Sequence, residues 1–160
     1  MTVDKRIAEL GIVIPATTPP VANYVSTRRT GNLLYVSGHL CKRDGVVVTG
    51  TVGDGVDTQT AYDLARLAAL DLLGTIRAAL GSLDDVAFVK LTGFVNSAPG
   101  FTEQSAVING ASDLFVEVLG SERGAHARSA IGVAQLPLGA AVEVEAIVEI
   151  TSVGADKPVG

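Results

Sequence analysis

The 160 residues contain one cysteine and two histidines, and that scarcity excludes much. Cys41 alone can form neither an intrachain disulfide nor a thiolate zinc cluster, and it fits a reduced, cytoplasmic setting. His39 and His126 lie far apart without an HExxH-like spacing, so no metal motif is present and no cofactor is called for. Lysine and arginine cluster no further than pairs such as Arg28-Arg29, and the net charge is −5, with an isoelectric point near 4.9. That balance argues against a nucleic-acid binder, which needs clustered cations for phosphates, and against adhesion to an anionic membrane. Long apolar runs are also missing. Asp4, Lys5, Arg6 and Glu9 interrupt anything resembling a signal peptide, and no later segment stays apolar long enough to span a bilayer.

What remains suits one globular domain over 1–153, long enough to bury about two-thirds of the unfolded chain's surface, with a non-periodic and disordered tail at 154–160. A hydrophobic fraction of 48% against 18% charged leads to the expectation that apolar surface is buried between subunits.

The stretch with the most chemical content is Ala127 to Ile150, "ARSAIGVAQLPLGAAVEVEAIVEI". Read as an extended chain, it puts Arg128, Ala130, Gly132 and Ala134 on one face. A guanidinium among such small neighbours is expected to have open space before it, where its planar fork could hold a carboxylate or phosphate bidentately. The same pattern also fits an edge-strand arginine or a structural ion pair. After a connection at Pro137 to Ala140, Val142, Val144, Ala146, Val148 and Ile150 alternate with Glu143, Glu145, Ile147 and Glu149, as in a strand with one covered and one solvated face.

Upstream, Asp4 to Leu10 reads as a short helix, followed by an irregular crossing through Pro15, Pro19 and Pro20 up to residue 23. Extended structure begins at Tyr24 and Val25, and a strand from Leu33 ends in Ser37-Gly38-His39, where the glycine marks a close approach of backbone or ligand. Gly50, Gly53 and Gly55 read as a loop. Asp57 or Thr58 caps a long helix to Leu80, stopped by Gly81, with Ala61, Leu64, Ala68, Leu72 and Ile76 among its apolar stripe. Val86 to Val95 is a central strand, and a second helix capped by Thr102 runs from Glu103 to Leu119, ended by Gly120, with Asn109 beside its packing face. This order gives an α+β fold, one sheet with two helices packed on one face. The bare face is partly apolar and suits a covering subunit.

With these residues in place, the chain resembles the Rid/YjgF family of reactive-intermediate deaminases from about Tyr24 to Ile150. The resemblance is carried by "ARSAIGVAQLP", "VEVEAIVEI", "LLYVSGHL" and "VINGASDLF". It implies a chorismate-mutase-like fold, a homotrimer with sheets inward and sites between subunits, and hydrolysis of 2-imino or 2-enamino acids to 2-oxo acids and ammonia. Residue by residue, it implies that Arg128 holds the substrate carboxylate, that Tyr24, Ser37 and Gly38 line the cleft, that Asn109 supports it, and that Glu143 holds or activates water. Ala130 stands where many relatives have cysteine, and His39 where archetypal members have glutamine. His39 and Cys41 themselves read as packing or rim residues. Two other functions are weighed against this one: a trimeric binding or regulatory protein for 2-oxo acids without turnover, and a ribonuclease or translation inhibitor, which the acidic chain disfavours.

Overall fold

A computed structural model describes residues 1–17 and 23–152. Part of the expected proline crossing, 18–22, and the expected tail at 154–160 lie outside the described residues. The elements in chain order are helix α1 (Val3–Glu9), strands β1 (Thr27–Thr30), β2 (Leu33–Leu40), β3 (Lys42–Arg43), β4 (Val46–Val47), β5 (Thr51–Val52) and β6 (Gly55–Val56), and helix α2 (Thr58–Leu80). Then come β7 (Val86–Asn96), α3 (Gln104–Gly124), β8 (Ala127–Val133), a 3₁₀ turn (Pro137–Gly139) and β9 (Val142–Ile150). Five strands form one sheet in the order β1-β2-β9-β7-β8, antiparallel throughout except for the parallel pair β7 and β8, which α3 connects as a crossover.

The alternation of β9 decides which face is covered. Val142, Val144, Ala146, Val148 and Ile150 are buried beneath the helices, whereas Glu143, Glu145, Ile147 and Glu149 point to the bare face. β7 adds Phe88, Leu91 and Val95 to the same core. From the helix layer come Leu64, Leu72 and Ile76 of α2 and Ile108, Leu114 and Phe115 of α3, all 1% exposed or less. At roughly 1.5–3 kcal/mol for each large buried side chain, this one shared interior is the main stabilising term. The two helices approach closely because α3 has Gly110 where a Cβ would overlap the Tyr62 carbonyl of α2.

The boundaries of α2 follow from local chemistry. The Asp57 carboxylate accepts from the Thr60 amide at 2.7 Å, and Gly81 takes the left-handed conformation (φ 82°) that ends the helix. α3 departs from expectation at both ends. It starts without a side-chain cap, and Gly120 (φ 83°) is an interruption inside it rather than its end, with helical structure resuming to Gly124. Two further differences are local. Extended pairing begins at Thr27, not at Tyr24, and the glycine loop at 50–55 contains the two-residue parallel pair of β5 and β6.

Candidate functional site

β2 and β9 meet with a register shift between Val36 and His39, so that Ser37 and Gly38 bulge out of the ladder. This irregularity brings Gly38 against the Glu143 side chain so closely that a Cβ on Gly38 would overlap the carboxylate. The group that approaches Gly38 is thus a side chain and not the backbone or ligand expected from sequence. Glu143 is half-buried, and burial, assisted by the neighbouring Glu145 charge, pushes its carboxyl above the usual range. Register places Leu40, Glu143, Phe94 and Ile131 in one row across the bare face.

A second row, Arg28, Tyr35, Ile147 and Lys90, crosses the same face. Above it lies a partly open cavity of about 430 Å³, whose walls include Tyr24, Ser37 and Glu145. Its size is that of a small-molecule pocket. Within it the Ser37 hydroxyl donates to the Val25 carbonyl at 2.7 Å, and the Lys90 ammonium donates to the Ser129 hydroxyl at 3.0 Å.

Arg128 lies elsewhere. It pairs in register with Leu91, whereas Glu143 pairs with Phe94, and an odd separation along β7 puts the two on opposite faces. They also lie two strands apart, about 10 Å at the usual strand spacing. Arg128 thus turns toward α3 at the sheet edge, and the open space expected before it is partly taken by that helix. Its Nη1 donates to Asn109 Oδ1 at 2.8 Å and to Ser112 Oγ at 3.0 Å, and Nη2 donates to the Ser105 carbonyl at 3.3 Å. Both Nη1 protons are spent. Nε has no partner among the described residues and Nη2 has one proton beyond its bond to Ser105, so the Nε/Nη2 edge is the one that can still offer two donors to a bidentate anion.

The six residues singled out from sequence therefore fall into separate groups within one chain. Gly38 and Glu143 touch, Tyr24 and Ser37 line the neighbouring cavity, and Asn109 braces Arg128 on the other side of the sheet. Sequence reading missed Ser112 and His126, whose ring nitrogen Nε2 lies 2.9 Å from Ser112 Oγ. A serine on a helix and a histidine 14 residues later share no period, so only the folded chain joins them. His39 is a packing residue, as expected. Its ring lies between the Ser37 carbonyl (2.7 Å) and the Thr75 hydroxyl of α2 (2.8 Å), and burial lowers its proton affinity. Cys41 is fully buried, donates to the Val48 carbonyl at 3.3 Å, and has its thiol pushed up by burial, away from nucleophilic use.

Fold and site together define a class: single-sheet α+β proteins with a braced arginine on one sheet edge and a half-buried glutamate on the bare face. The chain belongs to the Endoribonuclease L-PSP family, the YjgF/Rid family, whose model matches residues 15–150. It is 51% identical over 149 residues to Protein TCP17 of Trypanosoma cruzi, covering 92% of this chain and 93% of that one. It is 28% identical over 141 residues to a 2-iminobutanoate/2-iminopropanoate deaminase of Dermatophagoides farinae, covering 87% and 94%. Among solved structures, the protein Atu1372 of Agrobacterium tumefaciens, described as of unknown function, superposes with a TM-score of 0.85 at 48% identity, covering 92% of both chains. No helix among the described residues is long and apolar enough to cross a membrane.

Proposed function

We propose that the protein hydrolyses reactive 2-imino and 2-enamino acids to 2-oxo acids and ammonia, in sites formed between copies of a homotrimer. The observation that carries the reading is the Arg128 guanidinium, held by both Nη1 protons and one Nη2 proton, which leaves the Nε/Nη2 edge, with Nε–H and the second Nη2 proton, for a ligand. That edge matches the carboxylate of a 2-imino acid, whose electrophilic carbon is the next atom along. Holding the carboxylate there fixes the reacting carbon by proximity. Opposite faces separate Arg128 from Glu143 within one chain, so the site would take the arginine from one copy and the glutamate, with Gly38, Ser37 and Tyr24, from its neighbour. The partly apolar bare face, on which Tyr24, Tyr35 and Ile131 are 44–49% exposed, would be what the neighbour covers.

In this mechanism an enamine first becomes the imine by proton uptake at carbon. Glu143 takes a proton from water as the water oxygen bonds to C2, the C=N π pair moves to nitrogen, and Glu143 returns that proton to the nitrogen. Glu143 then carries the carbinolamine's hydroxyl proton to the amine nitrogen, the C–N bond breaks as the C=O forms, and ammonia and the 2-oxo acid separate. A carboxyl shifted upward by burial is suited to both accepting and returning the proton. The Dermatophagoides farinae relative is named for this chemistry. A ribonuclease reading is disfavoured because each histidine ring has both nitrogens engaged, one against α2 and the other against α3, which leaves no imidazole pair for acid–base cleavage. Calorimetric titration with 2-oxobutanoate tests the arginine assignment: binding should vanish in Arg128→Ala, and unchanged binding contradicts it.

A further inference from the structure

We propose that Ser112 and His126 are a positioning pair that aims Arg128 and so sets how tightly it grips a carboxylate, an inference that rests on the arginine assignment above. The hydrogen bonds have one consistent direction. His126 Nδ1 lies 2.7 Å from the Gly124 carbonyl, which can only accept, so the ring proton is on Nδ1. Nε2 of the neutral ring is then a bare acceptor. The Ser112 hydroxyl, 2.9 Å away, gives its proton to Nε2, which turns its lone pairs toward Arg128 Nη1 at 3.0 Å. Without the histidine the hydroxyl is free to rotate and can point its own proton at the guanidinium.

The ring itself has little freedom. Phe115 meets it edge-on, with centroids 5.9 Å apart at 75°, and Phe88 meets it at 6.1 Å and 58°; the two phenyl rings stack on each other at 3.8 Å. Burial lowers the imidazole's proton affinity first and the Arg128 charge lowers it further, while the Gly124 carbonyl opposes both. Arg128 on β8 is the charge acting on it. α3 contributes Ser112 and Phe115, and β7 contributes Phe88, none of which titrates near neutrality. The neutral ring is the form the arrangement needs, since an imidazolium would donate to Ser112 and add a second positive charge beside the guanidinium.

The test is 2-oxobutanoate affinity in the full-length protein, with Ser112→Ala, His126→Phe, His126→Gln and Arg128→Ala compared. Ser112→Ala and His126→Phe should each weaken binding about five- to tenfold, the size of one ordinary hydrogen bond, since the effect on the ligand is indirect. KM should rise with Kd while kcat barely moves. His126→Gln, which keeps an acceptor near the Nε2 position, should stay within about twofold of the unaltered protein. Unchanged affinity in Ser112→Ala and His126→Phe, with binding lost in Arg128→Ala, overturns the pair alone. Unchanged affinity in Arg128→Ala as well overturns the arginine assignment with it. Nitrogen-15 NMR of the unaltered protein is a check that needs no variant: Nδ1–H with a bare Nε2 at pH 7.5 supports the pair, and an Nε2–H tautomer or an imidazolium overturns it.

Discussion

Arg128 and Glu143 face away from each other within one chain, and this leads to a quantitative expectation for mixed assemblies. Arg128→Ala removes a bidentate charge-assisted pair, about 3 kcal/mol or roughly 100-fold in activity. Glu143→Gln removes the acid–base group, another ~100-fold or more. Each variant alone should therefore retain about 1%. If every site draws its arginine from one copy and its glutamate from the next, a 1:1 random assembly has both groups intact in about one site in four. Co-refolding the two inactive variants should thus restore about a quarter of the original 2-oxo acid release, more than tenfold above either parent. A mixture no more active than the average of its parents, in heterotrimers verified by native mass spectrometry, would refute the intersubunit reasoning.

Further expectations follow from single contacts. Gly38→Ala puts a methyl where the Glu143 carboxylate lies; turnover should fall up to ~100-fold while 2-oxobutanoate affinity is kept, as steady-state kinetics and calorimetry would register. Phe115 is fully buried and stacked on Phe88, so Phe115→Ala should cost about 3–5 kcal/mol in denaturant unfolding, and a loss below ~1 kcal/mol would mean that the core is not packed as described. His39 is held neutral by burial. With its folded pKa below the unfolded value, the stability it contributes is fully present above about pH 6.5 and is lost as pH falls through the folded pKa. The melting temperature should accordingly drop on acidification, and less steeply in His39→Gln.

The sheet and the long helix were legible because each carries a strict period. Val142 to Ile150 alternate apolar and acidic with one exception, Ile147, and α2 has its cap, stripe and terminal glycine where local rules put them. Gly120 was misread as a terminator because a glycine can break a helix locally without ending it; the chain resumes helical structure for one more turn, and a Cβ on Gly124 would meet the Phe115 backbone. The residues around Arg128 were harder to read. Alternation placed it correctly with Ala130 and Gly132, but which layer that face meets is decided by the α3 crossover, and so the space read as open contains Asn109 and Ser112. Ser112 and His126 carry no pattern in the chain. Glu143 was identifiable as a bare-face carboxylate, whereas its closeness to Gly38 depends on a bulge that pairing creates.

The central claim is tested most directly by generating 2-aminoacrylate in place with a dehydratase and following 2-oxo acid release with and without the protein and its Arg128→Ala form. The account predicts acceleration by the unaltered protein and its loss with Arg128. No acceleration, by a protein that still binds 2-oxobutanoate through Arg128, would contradict the hydrolase reading and leave a carboxylate-binding protein in its place.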